Sequence, residues 1–296
     1  MGIDNAHYYG WEGRLHSPWW ATLAIVRVAL LQVFRRKSYW LVIGLGAFQF
    51  LLFWVIIYVL TQARLPADVK QGMYEWFGFS PTVDADEENG YIRFMQQQSV
   101  VVMILLAFSG SLLVGSDFRM KSLPFYLSRR VDRRHYIAGK LMAVSVIVSL
   151  LTTVPALLLF IEYGMFTPSA GYWTEHWDVV PSVLAYGLAL CVVLSIPLVT
   201  ISAYLQRMAP IAIVWSTLFV MLMRLGAYLH ETTESDNWLL VDPWYDIRLL
   251  GKLCFGTFRD DGEQTMAIKA TTLLAVICTV CLVALVRRVR AVDIVE

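Results

Sequence analysis

YWLVIGLGAFQFLLFWVIIYVL, residues 39–60, contains no charged residue and one glutamine. A helix that crosses the hydrocarbon core of a bilayer, about 30 Å thick, needs about 20 mostly apolar residues. Further runs of this kind cover about residues 99–115, 140–165, 180–205, 209–229 and 267–286. The sequence therefore predicts an all-α integral membrane protein with six transmembrane helices. The run at 99–115 is the shortest, so five or seven spans are the alternatives.

The composition supports a membrane protein rather than a soluble one. The 296 residues are 58% hydrophobic and 16% charged, with a mean hydropathy of +0.58, whereas soluble domains carry about 25% charged residues. We expect a single transmembrane domain over residues 1–296 and no nucleic-acid partner. Four scattered cysteines predict no disulfide framework, and the first residues show no removable signal peptide.

The distribution of basic residues predicts the orientation. With six spans, one side carries the N-terminal segment, the loops after spans two and four, and the C-terminus. Most of the 24 lysines and arginines fall on that side, and the acidic DADEEN, residues 84–89, falls on the other. Because basic loops stay in the cytoplasm, we expect both termini to be cytoplasmic, in a bacterial-type inner membrane.

An apolar segment, residues 18–37, precedes the first span. Arg27 and Gln32 interrupt it, which is typical of a helix lying in the membrane interface rather than across the bilayer. A poor first transmembrane helix is the alternative. The expected interfacial anchors are Trp19, Trp20, Arg35, Arg36 and Lys37.

The loop between the fifth and sixth spans, residues 230–266, mixes leucines with Trp238, Trp244 and Tyr245. Aromatic residues of this kind favour the membrane–water interface. The pattern predicts short re-entrant or interfacial helices on the outer side. A folded surface loop is the alternative.

Motifs for catalysis or nucleotide binding do not occur in the sequence. It contains no HExxH and no GxSxG, and both Gly139-Lys140 and Gly251-Lys252 are followed by leucine rather than the Ser or Thr of a phosphate-binding loop. We expect no catalytic residue, no metal site and no enzyme activity. Within the predicted spans, Glu162 and Arg224 lie toward the outer ends, where they are expected to snorkel to the interface, which disfavours a proton-coupled carrier.

The stretch SLPFYLSRRVDRRHYIAGK, residues 122–140, covers most of the predicted cytoplasmic loop between the second and third spans, residues 117–139, and ends at the first residue of the third span. Charge alone would make it a topology signal. However, Ser122 and Pro124 suit the cap and first turn of a helix, and Phe125, Tyr126 and Leu127 form an apolar group. A short helix with an apolar face and a basic rim can dock on a soluble partner and transmit force to both spans.

At this stretch the sequence resembles the six-span permease subunits of ABC-2 type transporters. Their first cytoplasmic loop commonly reads T-L-E-L-L-L-T-T-P-V-S-R-R-E-I-L-L-G-K. The matching residues here are Ser122, Leu123, Leu127, Ser128, Val131, Arg133, Arg134, Gly139 and Lys140. The sequence departs from that pattern at Pro124, where the family often has Glu, and at Arg130, where it usually has Pro.

The resemblance implies a coupling helix that contacts a separate soluble ABC ATPase subunit, which binds ATP and Mg²⁺. It also implies a second permease subunit, identical or not, and an N-terminal interfacial helix. The implied ATPase contacts are Ser122, Leu123, Pro124, Phe125, Tyr126, Leu127, Arg129, Arg130, Arg133 and Arg134, whose arginines meet acidic groups of the ATPase or lipid headgroups.

The sequence thus predicts a permease subunit that couples ATP hydrolysis by its partner to substrate movement, with export favoured, or to force transmission. The alternative is a six-span membrane scaffold or assembly subunit that needs no ATP. A secondary carrier would need intramembrane charges or two related halves with interrupted helices, and neither is found in the sequence.

Overall fold

The computed structural model describes residues 18–79, 89–120, 132–167 and 172–293. Most of these residues are helical, and no strand occurs among them. The helices are α1 (Pro18–Phe34), α2 (Lys37–Gln62), α3 (Ala67–Phe77), α4 (Gly90–Gly110), α5 (Ser116–Arg119), α6 (Arg133–Leu151), α7 (Thr153–Phe166), α8 (Tyr172–Glu175), α9 (Val179–Leu205), α10 (Met208–Thr233), α11 (Pro243–Phe255) and α12 (Asp261–Asp293). A π turn, Ser111–Gly115, joins α4 to α5, and a 3-10 helix, Asp236–Val241, precedes α11.

Six helical segments are long and apolar enough to cross a membrane. They are Tyr39–Gln62, Gly90–Arg119, Arg133–Phe166, Val179–Leu205, Met208–Thr233 and Asp261–Val289. The prediction of an all-α chain with six such segments is confirmed. In the following text, the end of the bundle at which the second segment stops and the third begins is called the loop side.

The helices that hold the second and third predicted spans are longer than those spans. The helix of the second span begins at Gly90, before residue 99, and α4 is buried from its first turn onward. The loop predicted over residues 117–139 is helical up to Arg119 and again from Arg133. Both helices extend because polar side chains beyond the apolar runs find partners inside the protein.

The second span is the most buried of the six. In its most apolar stretch 71% of the residues are buried, against 17% in the fifth span and 22% in the first and sixth. The outer helices keep large apolar side chains exposed, such as Leu41 on α2 and Met221 on α10. An apolar face of this kind suits contact with lipid or with a second membrane subunit.

The third span is interrupted between α6 and α7. The break falls at Thr152, three residues before Pro155. A proline lacks the backbone N–H and its ring clashes with the carbonyl four residues earlier, here Leu151, so the helix is disrupted at that point. Pro155 thus accounts for the break in the third span, and Pro197 lies inside α9.

The loop between the fifth and sixth spans contains short helices, as the sequence predicts. Pro243 occupies the first turn of α11, and the Asp242 carboxylate caps the helix by accepting a hydrogen bond from the backbone N–H of Trp244 at 2.9 Å. One face of α11 is buried: Gly251 lies so close to Tyr186 that a Cβ atom would sit 3.0 Å from its ring. Since α11 packs into the bundle, it is not a free surface loop.

Two charged side chains on α11 are buried at the end of the bundle away from the loop side. Lys252 Nζ donates to Glu263 Oε1 at 2.6 Å. Asp246 is 2% exposed, and its Oδ1 atom has no hydrogen-bond partner in the structure. Burial, together with the nearby charge of Asp242, raises the pKa of Asp246 to about 8.

The raised pKa of Asp246 predicts that the chain loses stability as pH rises. An unfolded aspartate has a pKa of about 3.9, so between that pH and about 8 the folded chain keeps a proton that the unfolded chain releases. The free energy of unfolding then falls with increasing pH, by at most about 1.4 kcal/mol per pH unit. Thermal unfolding in detergent should show a lower Tm at pH 8 than at pH 5.

Replacing Asp246 with Asn should flatten this pH dependence, because an amide does not titrate. Asp68→Asn, at an exposed aspartate of α3, is the matched control and should keep the wild-type slope. An unchanged slope in Asp246→Asn would contradict the assignment.

Candidate functional site

Most residues of the predicted coupling helix lie outside the described part of the chain. These are Ser122, Leu123, Pro124, Phe125, Tyr126, Leu127, Arg129 and Arg130. Arg133 and Arg134 open α6, with Arg133 half-buried and Arg134 exposed. What the structure describes is the base of the loop, where α5 ends and α6 begins.

A buried ion pair joins the two ends of the loop. Lys140 Nζ on α6 lies 2.7 Å from Asp117 Oδ2 on α5, and their side chains are 6% and 12% exposed. The Tyr136 hydroxyl donates to the same carboxylate oxygen at 3.0 Å, and Lys140 also donates to the Leu113 carbonyl at 2.6 Å. We call Leu113, Asp117, Tyr136 and Lys140 the loop base. Its charges are compensated within the protein, as buried charges must be.

Local helix geometry explains why these groups meet. Tyr136 and Lys140 are four residues apart, so they lie on the same face of α6, and Lys140 Nζ is 5.7 Å from the centre of the Tyr136 ring. On the other side, Leu113 lies inside the π turn and Asp117 lies in the turn that follows. A π turn shifts the backbone hydrogen-bonding pattern and is frequent at functional sites.

The N-terminal helix is docked against the beginning of the third span. A Cβ atom on Gly139 would lie 3.2 Å from Ile25 Cγ2 and 3.3 Å from the Thr22 carbonyl oxygen, so a larger residue here would require α1 to shift slightly away from α6. At the same contact the rings of Trp19 and His135 pack edge to face with centroids 5.1 Å apart. The prediction of a separate helix before the first span is confirmed.

The residues expected to anchor this helix at the interface are exposed. Trp19 and Trp20 are 60% and 65% exposed, and Arg35, Arg36 and Lys37 are also exposed where α1 ends and α2 begins. The opposite face of α1, with Val26, Ala29 and Val33, is buried against the bundle. One face of α1 thus packs against the protein, whereas the exposed face is mostly apolar but also carries Arg27 and Gln32.

A cleft of about 630 Å³ opens beside the loop base. We call it the basic cleft, since three arginines lie along its wall. Its lining residues are Gln32, Arg35, Arg36, Leu112, Ser116, Asp117, Arg119, Met120, Gln206 and Met208.

The structure corrects the prediction for Glu162. Its side chain does not reach the surface: the residue is 1% exposed, and neither carboxylate oxygen has a hydrogen-bond partner in the structure. The short helix α8 packs over this end of α7, with Tyr172 against Tyr163 at a ring-centroid distance of 5.4 Å. Arg224, by contrast, is exposed. An ionisable side chain buried in a span is a candidate for a functional role. The sequence alone predicts only an interfacial position for Glu162.

No known protein family, curated protein or solved structure matches this chain. Within the described residues, no three His, Cys, Asp or Glu side chains are grouped so that they could hold a metal ion.

Breaking the loop base should destabilise the protein more than breaking a surface charge. Lys140→Met leaves the Asp117 carboxylate buried without its cation, and we expect a loss of about 3–5 kcal/mol in the free energy of unfolding. The double variant Asp117→Leu/Lys140→Met removes both charges and should recover most of that loss. Denaturation of the purified variants in detergent measures the difference.

Lys37→Met, which removes an exposed lysine at the start of α2, is the matched control and should change stability by less than about 0.5 kcal/mol. If the stability losses of Asp117→Leu and Lys140→Met, each measured alone, simply added up in the double variant, the ion pair would not be the stabilising contact.

Proposed function

We propose that this chain is a permease subunit of an ABC-2 type transporter. In this proposal a separate soluble ATPase subunit binds ATP and Mg²⁺, and the chain couples ATP hydrolysis to movement of a substrate, with export favoured, or to force transmission. The chain lies in a bacterial inner membrane with both termini cytoplasmic, so the loop side faces the ATPase.

The observation that carries the proposal is the loop base. A partner that pushes on a loop moves the membrane helices only if the loop is held firmly at both ends. Asp117 and Lys140, 2.7 Å apart, connect the end of the second span with the start of the third across the loop. Force on residues 121–131 would therefore reach both spans together, and the second span is the most buried of the six.

The contacts of Gly139 and Lys140 give further support. These two residues end the motif on which the resemblance to ABC-2 permeases depends. In the structure Gly139 allows α1 to pack on α6, and Lys140 closes the loop base. The motif thus has a physical role here: it ties the N-terminal helix, the loop and the third span into one unit.

The exposed apolar faces of the outer helices support the proposed second permease subunit. The first, fifth and sixth spans bury the least surface within the chain, so large apolar areas are left for lipid or another membrane protein. The short helices Asp236–Val241 and α11 lie between spans five and six, where the sequence predicts short re-entrant or interfacial helices.

Leu127→Asp should uncouple the chain from its ATPase. Burying a leucine side chain in a partner's groove is worth about 1.5–3 kcal/mol, so placing a carboxylate there should weaken the complex about tenfold or more. The tagged chain is purified from its native membrane in mild detergent, and the bound proteins and their ATP hydrolysis are measured.

The matched control is Val69→Asp, which places the same carboxylate at an exposed position of α3, away from the loop side. It should leave the bound ATPase unchanged. A wild-type preparation without any ATPase would overturn the proposal and favour a membrane scaffold that needs no ATP. Equal ATPase binding by both variants would show that the loop is not part of the interface with the ATPase.

A further inference from the structure

The basic cleft lies where three membrane segments end together. Its residues come from the last turn of α1 and the residues after it, from the end of the second span, and from the connection between the fourth and fifth spans. All of these points are at the loop side of the bundle. The cleft is therefore at the level where the apolar helix surfaces give way to polar residues.

The charge of the cleft is strongly positive. Arg35, Arg36 and Arg119 contribute three guanidinium groups, and no carboxylate among the described residues lies within 4 Å of them. The one acidic residue of the lining, Asp117, is already bonded to Lys140 and Tyr136. The cleft thus offers several unused N–H donors to an anion, and a guanidinium matches the geometry of a phosphate group.

The lining of the cleft also includes two exposed apolar side chains, Met120 and Met208, which are 70% and 41% exposed. Two further exposed apolar side chains belong to the segments that flank Arg35 and Arg36: Leu31 on α1 is 43% exposed, and Trp40 in the first turn of α2 is 56% exposed. A soluble anion would gain nothing from these side chains. A molecule with a charged phosphate and attached hydrocarbon chains would contact both parts.

We propose that the basic cleft binds the headgroup of an anionic phospholipid from the membrane leaflet at the loop side. The phosphate lies among Arg35, Arg36 and Arg119, and the acyl chains run along the exposed apolar surface of α1 and α2. Electrostatic attraction of this kind adds to the contact of the chains with the helices. The inference stands independently of the proposed transport function.

The test compares two lipids that differ in headgroup charge. The purified full-length chain is titrated in detergent with dioleoyl phosphatidylglycerol or with dioleoyl phosphatidylcholine. For each lipid, native mass spectrometry measures the binding of the first lipid molecule to the chain. We expect the anionic lipid to bind more tightly. Each arginine should contribute about fivefold in affinity, so Arg35→Gln/Arg36→Gln/Arg119→Gln should weaken phosphatidylglycerol binding on the order of a hundredfold and leave phosphatidylcholine binding unchanged.

The matched control is Arg64→Gln/Arg224→Gln/Arg259→Gln, which removes three exposed arginines away from the loop side and should keep the wild-type preference. Thermal unfolding of both triple variants checks that each is folded. Undiminished phosphatidylglycerol binding by the first variant, or an equal loss in the control, would overturn the proposal. Displacement of the lipid by millimolar inorganic phosphate, with no preference between the two lipids, would assign the cleft to a soluble anion and also overturn it.

Discussion

The ion pair between Asp117 and Lys140 determines how the loop side of this protein is built. Removing two charges from water is costly, so such a pair persists only when further hydrogen bonds complete it. Here the Tyr136 hydroxyl and the Leu113 carbonyl do so. The pair sets where the second span ends, where the third begins and how far apart the ends of the loop are held. The contact of α1 with α6 lies one residue away, at Gly139.

The number and approximate positions of the spans could be predicted from the sequence because the bilayer imposes a simple demand. Every backbone N–H and C=O group must be satisfied within the segment, so each span is a long apolar helix. The ends could not be predicted so well. In α4 the polar residue Arg93 lies inside the helix because its guanidinium donates to the Glu75 carbonyl at 2.8 Å. That contact joins the second span to α3, a helix that hydrophobicity alone does not reveal.

The sequence pointed to only part of the loop base. Gly139 and Lys140 belong to the motif of the resemblance, but their contacts with α1 and α5 involve residues that are remote in the sequence. Asp117 drew no attention because nothing local distinguishes a surface aspartate from one paired in the protein interior. The prediction for Glu162 was wrong because of packing that the sequence does not show. Its position near a helix end predicts a side chain that snorkels to the interface, but the packing of α8 over α7 buries it instead.

If lipid and ATPase both act at the loop side, they act on neighbouring parts of one structure, since Asp117 belongs to the loop base and also lines the basic cleft.

The most direct test of the central claim is a photo-crosslink from the loop itself. Tyr126 is replaced by the photoreactive p-benzoylphenylalanine. In the control, the same photoreactive residue replaces Trp76, which is 77% exposed on α3. After irradiation in native membranes, the proposal predicts that the residue at position 126 alone forms a covalent product with a soluble ATP-hydrolysing subunit. Products with lipid or integral membrane proteins only would contradict it.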